Sequence, residues 1–127
     1  MNKIENDIIE YQINDGILFG RYKVKVLDYT MAVKAVKLRK EFTQNNSYPN
    51  LASGINVMSI EKEARDYFAT EEATEGVLAG AVMINSIVQA TLMNFFLRVS
   101  QPNIPTKIFT DEKKAIDWLK QYKKSDV

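Results

Sequence analysis

Apolar and polar residues alternate in the N-terminal part of the chain, as they do in strands buried on one face only. Two such runs, Ile8 to Ile13 and Ile17 to Leu27, flank the tripeptide Asn14-Asp15-Gly16. Asp-Gly is a strong signal for a tight turn, because both residues tolerate a positive φ. The pattern therefore predicts an N-terminal β-hairpin.

Helical spacing of the apolar residues follows the hairpin. Asp28 or Thr30 can cap a helix that runs to about Thr43, and the polar stretch Gln44 to Asn50 reads as the loop that ends it. The predicted buried stripe has members at i, i+4, i+7 and i+11. These are Met31, Ala35, Leu38 and Phe42.

Strands and helices alternate over the rest of the chain. The predicted strands are Leu51 to Met58, Val77 to Ile84 and Thr106 to Phe109, and helices are predicted to begin at Ser59, Ser86 and Thr110, with a short turn between Thr70 and Gly76. The almost wholly apolar strand from Val77 is typical of an inner parallel strand. The order ββαβαβαβα predicts an α/β fold with right-handed crossovers and a mostly parallel sheet. A chain of 127 residues with this pattern is expected to be a single domain, residues 1–127.

Composition removes most catalytic chemistries. The chain has no Cys and no His, so it can form no disulfide, thiolate or imidazole metal site, nor a catalytic triad that needs a ring nitrogen. No spacing of carboxylates suggests a metal site either. We therefore expect a protein that is not an enzyme and needs no cofactor.

Charge is balanced in sum and uneven along the chain. The formal net charge is +1, yet residues 21–40 carry a net charge of +6 and residues 41–80 one of −5. These segments are either the solvated faces of separate elements or complementary patches that steer a protein partner or a second copy. Nucleic acid is not expected to bind, because the cations lack interleaved aromatic residues beyond Tyr22 and Tyr29, and the chain has no glycine-rich phosphate loop.

A membrane location is not expected. The N-terminus has no apolar run followed by a cleavage site, so no signal peptide is predicted. Val77 to Val99 is apolar enough to consider as a transmembrane span, but Asn85 and Ser86 divide it. The cytoplasm is the expected location.

The helix predicted after Ser86 has apolar side chains over about 220° of its circumference, more than one sheet can cover. The surplus calls for a neighbouring helix, a second subunit or an apolar ligand. We expect self-association, with a dimer favoured because a two-fold axis pairs a patch with itself. The candidate interface, which is equally a candidate apolar ligand surface, comprises Leu92, Phe95, Phe96 and Val99.

Several segments together resemble one family of bacterial proteins. They are Ser59 to Arg65, Ala79 to Ser86, Asn94 to Leu97, Pro105 to Asp111 and Ala115 to Leu119. In combination they are similar to the SpoIIAA-like, or STAS-like, proteins over roughly Tyr11 to Tyr122. The resemblance implies the SpoIIAA-like fold, a superhelix of successive βα units that CRAL-TRIO lipid-transfer domains share.

The resemblance also implies a function. STAS-type anti-sigma-factor antagonists carry a phosphorylatable serine at the N-terminus of the helix after their third strand, and Ser59 occupies that place. Ser59 is then either a regulatory phosphorylation site or an ordinary helix N-cap. The expected role is a non-enzymatic regulatory or protein-interaction module. The alternative is a carrier or sensor of a small apolar or lipid ligand.

Overall fold

The computed structural model of the protein describes residues 2–86 and 103–123, and these form eight strands and four helices. The strands are β1 (Lys3–Glu5), β2 (Ile9–Asn14), β3 (Ile17–Tyr22), β4 (Val26–Leu27), β5 (Tyr48–Ser53), β6 (Ser59–Ile60), β7 (Val77–Met83) and β8 (Thr106–Phe109). The helices are α1 (Tyr29–Thr43), α2 (Lys62–Phe68), α3 (Glu71–Thr74) and α4 (Glu112–Lys120). The helix predicted after Ser86, with Leu92, Phe95, Phe96 and Val99, lies outside the described residues.

The predicted hairpin is confirmed. Strands β2 and β3 pair antiparallel around Asp15 and Gly16, whose φ angles of 51° and 75° lie in the left-handed region that an Asp-Gly turn needs. Strand β1, which the alternation did not single out, extends the hairpin by pairing antiparallel with β2.

Parallel pairing builds the rest of the main sheet. Its six strands lie in the order β1-β2-β3-β5-β7-β8, and each neighbouring pair from β3 to β8 is parallel. The predicted α/β class with a mostly parallel sheet after a hairpin is therefore confirmed. Strand β7 lies between β5 and β8, which confirms the inner position predicted from its apolar sequence.

Two strand boundaries differ from the prediction. Strand β3 ends at Tyr22, and Val26–Leu27 pairs instead with β6 in a separate two-stranded sheet. Strand β5 is Tyr48–Ser53 rather than Leu51 to Met58. Proline argues against a central strand, but Pro49 stands near the beginning of β5, where the register with β7 shifts.

Helix α1 begins as predicted, but of its predicted buried stripe only Ala35 is buried. Asp28 caps it, with Oδ1 accepting a hydrogen bond from the Met31 amide at 2.8 Å. The predicted members Met31, Leu38 and Phe42 are only partly buried. The fully buried positions are Ala32, Ala35, Val36, Arg39 and Thr43.

Both faces of the main sheet are covered in part by helices. Helix α4 packs on β5 and β7, burying Ala115 and Leu119 against Leu51, Ala79 and Ala81. On the opposite face, α1 packs over the hairpin. There the buried residues include Ile9, Tyr11, Leu18 and Ala35. The described residues contain no helix with the length and hydropathy needed to cross a bilayer, and the first part of the apolar run from Val77 is strand β7.

Two glycines on the α1 face of the sheet have opposite surroundings. A Cβ at Gly20 would lie 2.9 Å from Cε1 of Tyr11, a buried ring whose hydroxyl donates to the Ala35 carbonyl. A Cβ at Gly80 would meet no described atom closer than Cδ1 of Ile104 at 3.9 Å. The Tyr11 ring fills the space above Gly20, whereas the space above Gly80 is open on the side of the described residues.

The same substitution at the two glycines should therefore have opposite effects. Gly20→Ala should lower the free energy of unfolding by about 1–3 kcal/mol, because the methyl group displaces the Tyr11 ring. Gly80→Ala should leave it unchanged or raise it by up to about 1 kcal/mol, because alanine has less backbone freedom to lose in a strand. Urea denaturation of the two variants measures both values. Equal destabilisation by both substitutions would contradict this description of the sheet.

Candidate functional site

Two rows of paired residues run across the α1 face of the main sheet. Leu18 pairs with Asn50, Asn50 with Gly80, and Gly80 with Thr106. In the next row, Gly20 pairs with Ala52 and Ala52 with Val82. Side chains of paired residues lie on the same face of a sheet, so the face is shallow at Ala52 and Gly80, two small residues of these rows. Together the two rows form the floor of a cavity.

The cavity has a volume of about 480 Å³, within the range of roughly 300–1,000 Å³ typical of small-molecule sites. Its walls come from α1, α2 and α3 and from the segment between β5 and β6. Most of the lining is apolar. The apolar wall residues include Ile9, Leu27, Val36, Val57, Ile60, Phe68, Ala73, Ile84 and Ile104.

Arg39 is a buried cation in this apolar lining. The residue is 7% exposed, and its two Nη atoms donate to the carbonyls of Ala73 at 2.9 Å and Glu75 at 2.8 Å. These bonds join α1 to the end of α3. Burial lowers the pKa of Arg39 from its usual value, and nearby groups including Tyr11 and Glu75 oppose that shift. An arginine remains charged in proteins even so, so the cavity wall carries a positive charge.

The hydrogen bonds of Arg39 within the described residues use two of its N–H donors. Arginine has five N–H donors, and the two bonds within the described residues go to carbonyl groups rather than to a carboxylate. The carboxylate of Glu75 lies instead 3.3 Å from Nζ of Lys40. Arg39 therefore has donors to spare and no hydrogen-bonded counter-ion among the described residues.

Asn50 places a second polar group on the cavity floor. Its Oδ1 is buried, and it has no hydrogen-bond partner within residues 2–86 and 103–123. A buried acceptor without a donor costs about 1–3 kcal/mol. Asn50 is thus a destabilising group in the described fold unless a water or a ligand donates to it.

Neighbouring tyrosines remain neutral at physiological pH. Burial raises the pKa of Tyr11 well above its usual value, and it raises the pKa of Tyr22 as well. Burial and the hydrogen bond that Tyr67 donates to Glu72 raise the pKa of Tyr67 to about 12. These hydroxyls are therefore poor proton donors near neutral pH.

The rim of the cavity contains the candidate regulatory residue Ser59. The predicted N-cap role of Ser59 is wrong: the residue lies in β6, and α2 begins after Glu61, which makes no side-chain cap. Pairing of β6 with Val26 holds Ser59 in an extended, exposed position instead. Ser59 and the adjacent Met58 both border the cavity. Phosphorylation of Ser59 remains a prediction.

Neither Arg39 nor Asn50 was predicted to be a site residue. Asn50 fell at the end of the polar stretch Gln44 to Asn50, which was predicted to be a loop. Arg39 was grouped with the cations of residues 21–40, as part of a solvated face or a steering patch. Its spacing from Ala32, Ala35 and Val36 contained the signal, since i, i+3, i+4 and i+7 lie on one helical face. The candidate residues Leu92, Phe95, Phe96 and Val99 lie outside the described residues, so the structure does not relate them to the cavity.

Among the described residues, no group of three Asp or Glu side chains is arranged to hold a metal ion. The arrangement that the structure does describe is an apolar cavity with one buried cation and one unpartnered amide oxygen. Such a site can bind an apolar or amphiphilic molecule and orient its polar end.

Comparison with known proteins agrees with the fold. A family model described as a domain of unknown function, DUF7793, matches residues 11–123. A solved structure from Shewanella loihica PV-4, an uncharacterized DUF3478-family protein with a SpoIIAA-like fold, is similar over 87% of this chain and 91% of that chain, with a TM-score of 0.64 and 14% identity. This likeness confirms the SpoIIAA-like fold that the sequence resemblance implied.

A second solved structure, a protein of unknown function from Arthrobacter sp. FB24, is 24% identical over 87% of this chain and 97% of that chain. Its TM-score of 0.30 is too low to support an argument. No curated protein matches the chain.

The unpartnered oxygen of Asn50 is expected to lower the free energy of unfolding of the wild-type protein. Asn50→Leu, which keeps the approximate shape and removes the polar atoms, should raise the free energy of unfolding by about 1 kcal/mol. Gln12→Leu is the control, because Gln12 is exposed on β2 and the change there should stay within about 0.5 kcal/mol. Urea denaturation without added ligand measures the free energy of unfolding of both variants. A loss of stability in Asn50→Leu would mean that the amide is hydrogen-bonded in the folded protein.

Proposed function

We propose that this chain, which belongs to the DUF7793 family, is a non-enzymatic binding module that holds a small apolar ligand in the cavity under α1. The observation that carries the proposal is the cavity of about 480 Å³ with a mostly apolar lining. Apolar surface left in water forfeits roughly 25 cal/mol for each Å², so an apolar molecule that covers these walls gains that free energy on binding.

The floor of the cavity supports the same role. The small residues Ala52 and Gly80 keep the neighbouring strands β5 and β7 shallow at this point of the floor. The described core of the opposite face shows no such arrangement, because α4 packs directly on Ala79 and Ala81.

A regulatory or protein-interaction role is compatible with ligand binding, and surface residues near the cavity favour it. Met58 is 75% exposed and Val26 is 49% exposed. Pairing of β4 with β6 brings the two together, since the Met58 amide donates to the carbonyl of Lys25. Because Met58 also borders the cavity, a ligand that moves this segment changes the surface offered to a partner. The protein then acts as a cytoplasmic sensor, with a second copy or another protein as its partner.

The experiment is a titration with the uncharged apolar fluorophore N-phenyl-1-naphthylamine, whose emission rises on transfer from water to an apolar site. The wild-type protein should give a saturable rise. Gly80→Ile should weaken binding by about tenfold or more, because the larger side chain projects into the cavity from the floor. Gly80→Ala is the matched control and should change the affinity by less than about threefold, because it adds only one methyl group.

Both variants should retain the wild-type far-ultraviolet circular dichroism. A wild-type protein that gives no saturable rise overturns the proposal, as does a Gly80→Ile variant with unchanged affinity. An experimental structure of the ligand-free protein in which the protein's own side chains fill the cavity overturns it too.

A further inference from the structure

We infer that the ligand is an amphiphile with a single carboxylate, such as a fatty acid, and that Arg39 binds the carboxylate inside the cavity. The inference rests on the proposed function and adds the chemistry of the ligand to it. A purely apolar ligand explains the walls of the cavity but leaves the charge of Arg39 without a hydrogen-bonded counter-ion among the described residues.

The geometry of Arg39 carries the inference. The guanidinium is nearly completely buried, yet its two hydrogen bonds go to the carbonyls of Ala73 and Glu75. These two bonds hold the planar group in place and use two of its five N–H donors. A group that is already oriented loses little entropy when it binds a carboxylate, and the fork of an arginine fits the two carboxylate oxygens.

Charge balance favours a carboxylate over a more highly charged head group. A buried charge is costly unless it is paired, and Arg39 has no hydrogen-bonded counter-ion among the described residues. One carboxylate neutralises one guanidinium. A phosphate monoester carries about −1.5 to −2 charges at neutral pH, so it would leave a negative charge uncompensated at Arg39.

A second arginine lines the cavity but has a different setting. Arg65 is only partly buried, and its Nη1 donates to the carbonyl of Ile60 at 2.5 Å. Arg65 lies in α2, and Ile60 follows the rim residue Ser59 in β6. We assign the buried charge of Arg39, rather than Arg65, to the head group, because charge attraction is strongest where water is excluded.

The test measures how decanoate, methyl decanoate and decyl phosphate displace N-phenyl-1-naphthylamine at pH 8. The three probes share one alkyl chain, and decanoate is fully ionised at this pH. In the wild-type protein, decanoate should bind at least about tenfold more tightly than its methyl ester, the expected effect of a hydrogen bond to a charged group. Decanoate should also bind more tightly than decyl phosphate.

Variants assign the preference to Arg39. Arg39→Met should abolish the difference between decanoate and its ester, and Arg39→Lys should retain part of it because the charge remains. Lys37→Met is the matched control, since Lys37 is an exposed cation on the same helix, and it should leave the ratio of the two affinities unchanged. If Arg39→Met does not fold, the ratio of the decanoate and ester affinities in the wild-type protein and in Arg39→Lys still tests the inference.

The outcomes separate this inference from the proposed function. If the fluorophore and the ester bind but decanoate binds no more tightly than the ester, the carboxylate inference is wrong and the apolar site stands. Tighter binding of decyl phosphate than of decanoate also overturns the inference. If the fluorophore and all three probes fail to bind, the proposed function itself is wrong.

Discussion

The register of the parallel strands is the constraint on which the described structure depends. Because β3, β5, β7 and β8 pair in parallel, each residue that faces α1 has a neighbour on the next strand that does the same. A shift of one residue in any pair would exchange the two faces of that strand. The small residues would then meet α4, and the alanines that α4 covers would face the cavity. The cavity and the α4 core are two results of one register.

The topology of this register could be predicted from the sequence, because alternation and helical spacing report which elements exist and in what order. The Asp15-Gly16 turn and the inner strand β7 have strong local signals, and both are confirmed. The site could not be predicted in the same way. Its polar members, Arg39 and Asn50, occupy positions where patterns of apolar residues predict a solvated helix face and a loop.

Ser59 shows a different reason for failure. A serine before a helical pattern is a good cap on local grounds, but pairing of β6 with β4 holds Ser59 in an extended strand. The partner strand is distant in sequence and only two residues long, so no local signal marks it. Tertiary pairing thus decided where α2 begins, and the helix starts with Glu61 as an N-cap that lacks a side-chain hydrogen bond.

The strands of the main sheet have the same order in space as along the chain. This order affects how the protein folds during synthesis. From β1 to β8, every strand of the main sheet pairs with the preceding strand of that sheet. The β2–β3 hairpin closes a two-residue loop, which forms in about 1–10 μs, far faster than a ribosome adds the next residues. Each later strand of this sheet therefore leaves the ribosome after its partner has been made. While the sheet grows, the strand made last forms its one open edge on the C-terminal side. This limits the exposure of unpaired strands to other chains.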